Sequence, residues 1–126
     1  MNLLLDSHAF VWWIDDDARL GAKARQAIES SEKVFVSVIS IWELGIKSAA
    51  GKIDIQTDLA EAAKESGFEL LDCKLAHAQL APTLPQHHKD PFDRMLLAQA
   101  FVERLKIVSQ DGAFTAYEID LISTHK

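Results

Sequence analysis

The 126 residues predict an α/β fold: three layers, α/β/α, around a central parallel sheet of about four to five strands. Two observations carry this. Short aliphatic or β-branched runs alternate along the chain with longer stretches whose apolar residues recur at helical spacing, the order that parallel crossovers produce. Acids also follow two of those runs, Asp6 after Leu3 to Leu5 and Asp111 shortly after Ile107 and Val108. Ligand sites of open α/β sheets lie beyond the carboxyl ends of the strands, where such acids would stand.

The first strand reads as Asn2 to Leu5, ended by Asp6. Ala9 to Ile14 turns helical, Asp15 to Asp17 make a solvated turn, and Gly21 to Ser30 carries Ala24, Ala27 and Ile28 on one helical face. Val34, Phe35, Val36 and Val38 make the second strand. Ser40 to Glu43 has the S-x-x-E form of a capping box, which predicts a helix running to about Ala50, where Gly51 stops it. Thr57 or Asp58 caps a helix through Leu59, Ala62 and Ala63 that ends at Gly67. Phe68 to Leu71 is the third strand, Leu75 to Ala81 a short helix broken by Pro82, and Pro85 to Lys89 a loop. Asp90 and Pro91 read as cap and first residue of a helix to about Leu105, since proline suits that first position. Lys106 to Ser109 is the fourth strand, Gly112 to Tyr117 a short helix and Ile119 to Ile122 an edge strand. One domain is expected over residues 1–126.

With 48% hydrophobic and 25% charged residues, and only five glycines and three prolines, the composition is that of a soluble globular chain without linkers. Ala9 to Ile14 is too short for a bilayer span and has no basic leader, so a cytoplasmic protein with no membrane partner is expected. Cys73 has no second cysteine to pair with and is expected in or near the core; no Cys or His pair has the spacing of a structural zinc site. A formal charge of −6 argues against nucleic acid, whose phosphates are met by Lys and Arg. Clustered acids would change that, because a bound divalent ion reverses the local sign. Walker A, G-x-G-x-x-G and nucleophile-elbow patterns are absent.

Four acids make the candidate site: Asp6, Glu43, Asp93 and Asp111. If the strands are parallel neighbours, all four reach one sheet edge, where carboxylates at about 5 Å would repel by roughly 3 kcal/mol per pair at an effective dielectric near 20. A hard divalent cation with oxygen ligands relieves this. Each acid also has a structural reading. Glu43 occupies the third position of the capping box and precedes Lys47 by four residues. Asp93 begins the stripe Leu96, Leu97, Ala100 and Phe101 that faces the core, or meets the helix dipole as a first-turn acid. Asp6 and Asp111 follow strands, where turn aspartates are common. Asp90 is a fifth acid or a helix cap. Arg94 and Lys47 are weaker candidates for contact with substrate phosphate; Arg94 reads equally as an exposed helix arginine, and Lys52 and Lys89 divide the same way. His87 and His88 read as exposed loop residues, and Trp12, Trp13 and Trp42 as core. Ser7 and Ser109 would orient neighbouring carboxylates or water.

Four stretches, LLLDSHAFVWW at Leu3 to Trp13, SVISIWELGIKSAAGK at Ser37 to Lys52, HHKDPFDRMLLAQA at His87 to Ala100 and SQDGAF at Ser109 to Phe114, resemble a PIN domain, specifically the VapC-type toxins of toxin-antitoxin pairs. They occur in the family's order across nearly the whole chain. The resemblance implies a ribonuclease dependent on Mg2+ or Mn2+, with the acidic quartet at Asp6, Glu43, Asp93 and Asp111. It also implies a homodimer, an RNA substrate and inhibition by a cognate antitoxin. Two other readings stand beside it: a phosphotransfer or phosphatase domain with a phosphorylated carboxylate, and a catalytically silent interaction domain of the same fold.

Overall fold

The computed structural model describes residues 2–85 and 90–109 in full and residues 121–123 as backbone. Five strands, β1 (Asn2–Leu5), β2 (Lys33–Ser37), β3 (Glu69–Leu71), β4 (Lys106–Ser109) and β5 (Leu121–Ser123), form one parallel sheet in the order β3-β2-β1-β4-β5. The chain winds outward from β1 on one side and from β4 on the other. That reversal opens a crevice beyond the carboxyl ends of β1 and β4.

The pleat sorts the apolar residues into two layers. Leu3 and Leu5 pair with Val34 and Val36, Leu5 also with Val108, and these five share one buried cluster. Helices α1 (Ser7–Ile14), α2 (Ala22–Ser30), α3 (Val38–Ala49) and α4 (Leu59–Glu65) add Phe10, Trp12, Ile28, Leu44 and Ala63 to it. Leu4 and Ile107 point the other way, onto Leu96, Leu97 and Ala100 of α6 (Pro91–Glu103). Each fully buried leucine in these layers contributes about 1.5–3 kcal/mol. The short α5 (Leu75–Leu80) packs against α6.

Most predicted elements are present, and the departures have local causes. α1 starts at Ser7 because the Asp6 side chain accepts the Ala9 N–H at 2.8 Å and caps it. The capping box expected at Ser40 does not form. Ser37, the last strand residue, caps α3 by accepting the Ile39 N–H at 3.0 Å, so Val38 is helical and Ser40 lies buried inside the first turn. Pro82 falls in a 3-10 turn, Ala81–Thr83. Helix α6 ends before Leu105 because Arg104 takes the left-handed conformation, φ 57°. Phe101, expected on the buried stripe, is exposed. Cys73 is exposed as well, since β3 ends at Leu71 and the cysteine lies in the link to α5 rather than in the core. The helix expected over 112–117 and most of the loop before Asp90 lie outside the described residues. No helix among the described residues is long and apolar enough to cross a membrane.

Candidate acidic site

Topology delivers Asp6, Glu43 and Asp93 to one edge. The Asp6 N–H donates to the Val108 carbonyl at 3.1 Å, continuing the β1–β4 ladder, so Asp6 stands beside the end of β4. Asp6 is only 6% exposed, and its side chain caps α1. β2 enters α3 without a connecting loop, which places Glu43 about one and a half turns above the same edge. Only Arg104 and Leu105 separate α6 from β4, so α6 runs back across the sheet and its first turn returns to that edge. There Asp90 accepts the N–H groups of Phe92 and Asp93 at 2.8 and 3.2 Å, a helix cap, and Asp93 is half-buried in the first turn. The Trp42 ring meets Phe92 edge-on at 5.2 Å and braces α3 against α6. Three helix N-termini therefore face the edge, and each favours negative charge.

Glu43 is the best-defined of these acids. It is 6% exposed, and its two oxygens have different donors: Oε1 accepts from Ser7 Oγ at 2.6 Å, Oε2 from Lys47 Nζ at 2.8 Å. The hydrogen bond to Glu43 holds the Lys47 ammonium above the ordinary lysine value against partial burial, and the charges of Glu43, Asp90 and Asp93 push the same way. The field of the α6 acids thus reaches the α3 lysine. With Ser7 adjoining Asp6, one hydrogen-bonded chain ties α1, α3 and the end of β1 together.

These donors suit a hard cation. They are carboxylate and hydroxyl oxygens, the ligands of magnesium or manganese rather than of a thiolate or imidazole metal. Among the described residues no three His, Cys, Asp or Glu are grouped to hold an ion, and Asp111, the fourth expected acid, lies outside them. His87, His88 and Lys89 lie outside them too.

Several expected roles change. Arg94 is not an exposed rim arginine: it is 8% exposed and donates to the carbonyls of Ala81, Leu84 and Pro85 at 2.8, 2.8 and 3.0 Å. It clamps the segment that leads into α6. Trp12 is core and Trp13 half-buried, donating to Ser66, but Trp42 is 60% exposed. Lys52 is exposed, and Ser109 is buried at the end of β4. The acidic turn at 15–17 forms a separate ion-pair group, where side-chain and backbone hydrogen bonds from Arg19 bring the Asp17 carboxyl down to about 2. Sequence reasoning passed over a second buried polar group. His77 Nδ1 accepts the Lys74 N–H at 3.0 Å, so Nε2 carries the proton toward Glu103 at 2.8 Å; the only visible signal was a histidine in a first helical turn. A hollow of about 140 Å³ between α1 and residues 54–59 has an apolar floor of Val11, Ile14, Ile55 and Leu59. Its polar wall is Asp15, Asp54, Gln56 and Thr57.

The PIN domain family profile matches residues 3–119. Ribonuclease VapC22 from Mycobacterium tuberculosis is 31% identical over 118 residues, covering 87% of this chain and 87% of the relative. Among solved structures, the DNA-bound VapBC from Salmonella typhimurium superposes with a TM-score of 0.72 at 16% identity, over 98% of each chain. A toxin-antitoxin complex from Klebsiella pneumoniae gives 0.71 at 17%, again over 98% of each. Structural likeness at such identities speaks for the fold, while the profile and the VapC22 alignment speak for descent. The chain belongs to the PIN-domain family and, within it, to the VapC-type proteins.

Proposed function

We propose that this protein is a divalent-metal-dependent endoribonuclease, the toxin of a toxin-antitoxin pair, which hydrolyses RNA phosphodiester bonds with activated water. It works as a homodimer and is silenced by a cognate antitoxin. The observation that carries the reading is the chain Ser7–Glu43–Lys47, whose Ser7 and Glu43 are buried beside Asp6 at the point where the sheet reverses its winding. The relative named a ribonuclease and the neighbours solved as toxin-antitoxin complexes support it.

Asp6, Glu43, Asp93 and Asp111 are the residues that would hold Mg2+ or Mn2+. When bound, the cation supplies Lewis acidity toward a phosphate oxygen and toward the attacking water. Ser7 fixes one oxygen of Glu43, leaving that carboxylate little freedom to rotate. Asp93, at the mouth of α6, orients the water and accepts its proton, with Asp111 as the second acid suited to that task. Burial of Asp6 and Glu43 limits competing water around the carboxylates. Attack by water leaves 5′-phosphate and 3′-hydroxyl ends.

Asp6→Asn and Asp93→Asn test the assignment. Asparagine caps a helix as well as aspartate does, so Asp6→Asn should melt like the wild type while cleavage of single-stranded RNA falls at least a hundredfold. Wild-type activity in either variant, or 2′,3′-cyclic phosphate ends on the products, would refute the proposed chemistry.

A further inference from the structure

We infer that Lys47 is the resident counter-ion of the acidic edge: its ammonium holds Glu43 in the metal-free protein and competes with the divalent cation for the same carboxylate oxygen. The inference rests on the proposed cation site and adds a regulator of its affinity.

The geometry separates this from an ordinary surface pair. Lysine four residues after glutamate on an exposed helix face contributes little, because both groups stay in water. Here the Glu43 side chain is 8% exposed and that of Lys47 35%, so the carboxylate has left water and the ammonium has left it in part. A buried carboxylate deprived of its partner is costly, whereas one with two donors is held. The Lys47 ammonium also feels Asp90 and Asp93 across the α3–α6 contact, so it neutralises a group of acids and not one alone.

Removal of Lys47 would not displace Glu43. Ser7 still donates to Oε1 at 2.6 Å, and the backbone of α3 still carries the residue to the edge. What disappears is one positive charge beside the place where a second is to bind. Like charges a few ångströms apart in a partly buried site repel, and screening there is incomplete. The metal-free protein should therefore lose stability while the site gains affinity for a cation. A residue whose only task was to position Glu43 would show the opposite for affinity.

The test uses the whole chain in five forms: wild type, Lys47→Met, Lys47→Arg, Glu43→Gln and the double variant Glu43→Gln/Lys47→Met. Methionine keeps the aliphatic stem and arginine keeps the charge. In chelator, Lys47→Met should melt several degrees below the wild type, and the same substitution should cost less in the Glu43→Gln background. Calorimetric titration with Mn2+ alone should show Lys47→Met binding on the order of tenfold more tightly than the wild type, and Lys47→Arg close to the wild type. Should Lys47→Met fail to fold, Lys47→Gln supplies the same comparison. Unchanged or weaker Mn2+ binding by the neutral variant, beside a wild type that binds, overturns the counter-ion role and leaves the nuclease reading standing. A wild type that binds no Mn2+ overturns both.

Discussion

Glu43 lies between two donors of different kinds, a neutral hydroxyl and an ammonium, and the hydroxyl is the shorter contact at 2.6 Å. Ser7→Ala removes it and leaves a buried carboxylate oxygen without that donor, a loss expected to cost about 1–3 kcal/mol in urea unfolding. Stability equal to the wild type would show that Ser7 is dispensable to the fold. Glu103 offers a pH-dependent case. Its hydrogen bond from His77, and after that from Lys74, holds its carboxyl below the ordinary value of 4.5. A carboxyl depressed in the folded state contributes stability that is complete above its unfolded value and disappears as pH falls through its folded one. Wild-type stability should therefore drop more steeply below pH 4.5 than that of Glu103→Gln, measured by urea unfolding at stepped acidic pH. Parallel acid limbs for the two proteins would contradict this.

At the scale of elements, α3 carries a glycine in its interior. Gly45 is exposed and a methyl group added there meets no atom within 4 Å, so Gly45→Ala should stabilise the protein by about 0.5–1 kcal/mol through helix propensity alone, read as a higher urea midpoint. A lower midpoint would mean that this face packs against something in solution. The start of α3 also shows where sequence reasoning loses resolution. Ser37 and Ser40 are both acceptable caps followed by apolar residues, and the S-x-x-E pattern favours the second. The sheet decides for the first, because Ser37 pairs with Leu71 at the end of β2 and the chain must turn there. That shift removes the capping explanation of Glu43 and leaves its burial to be explained by Ser7 and Lys47. Strands β1 and β4 were legible, because their apolar runs are short and bounded, and so was the cap at Asp90, because Pro91 marks it. Arg94 was not. Its sequence neighbours are those of a helix surface, and only the carbonyls of residues 81–85, folded back over α6, make it a buried clamp.

For the molecule as a whole, the question is what the assembled edge does to stability. Three helix N-termini and a lysine ease the repulsion among the acids, and on the proposed reading a bound cation would add stability by linkage. Millimolar Mg2+ or Mn2+ is therefore expected to raise the melting temperature by a few degrees at constant ionic strength, and Asp6→Asn to abolish most of the rise. A melting curve insensitive to either ion would separate these carboxylates from metal altogether. The hinge-free junction of β2 and α3 has a further result for the way such a chain can change over time. Each residue added or lost there would rotate the helix by about 100° and carry the Glu43 carboxylate out of reach of Ser7. Length variation among relatives should therefore avoid the stretch from Lys33 to Glu43 and gather instead in the irregular span between Gly51 and Asp58, where no regular element would have to turn.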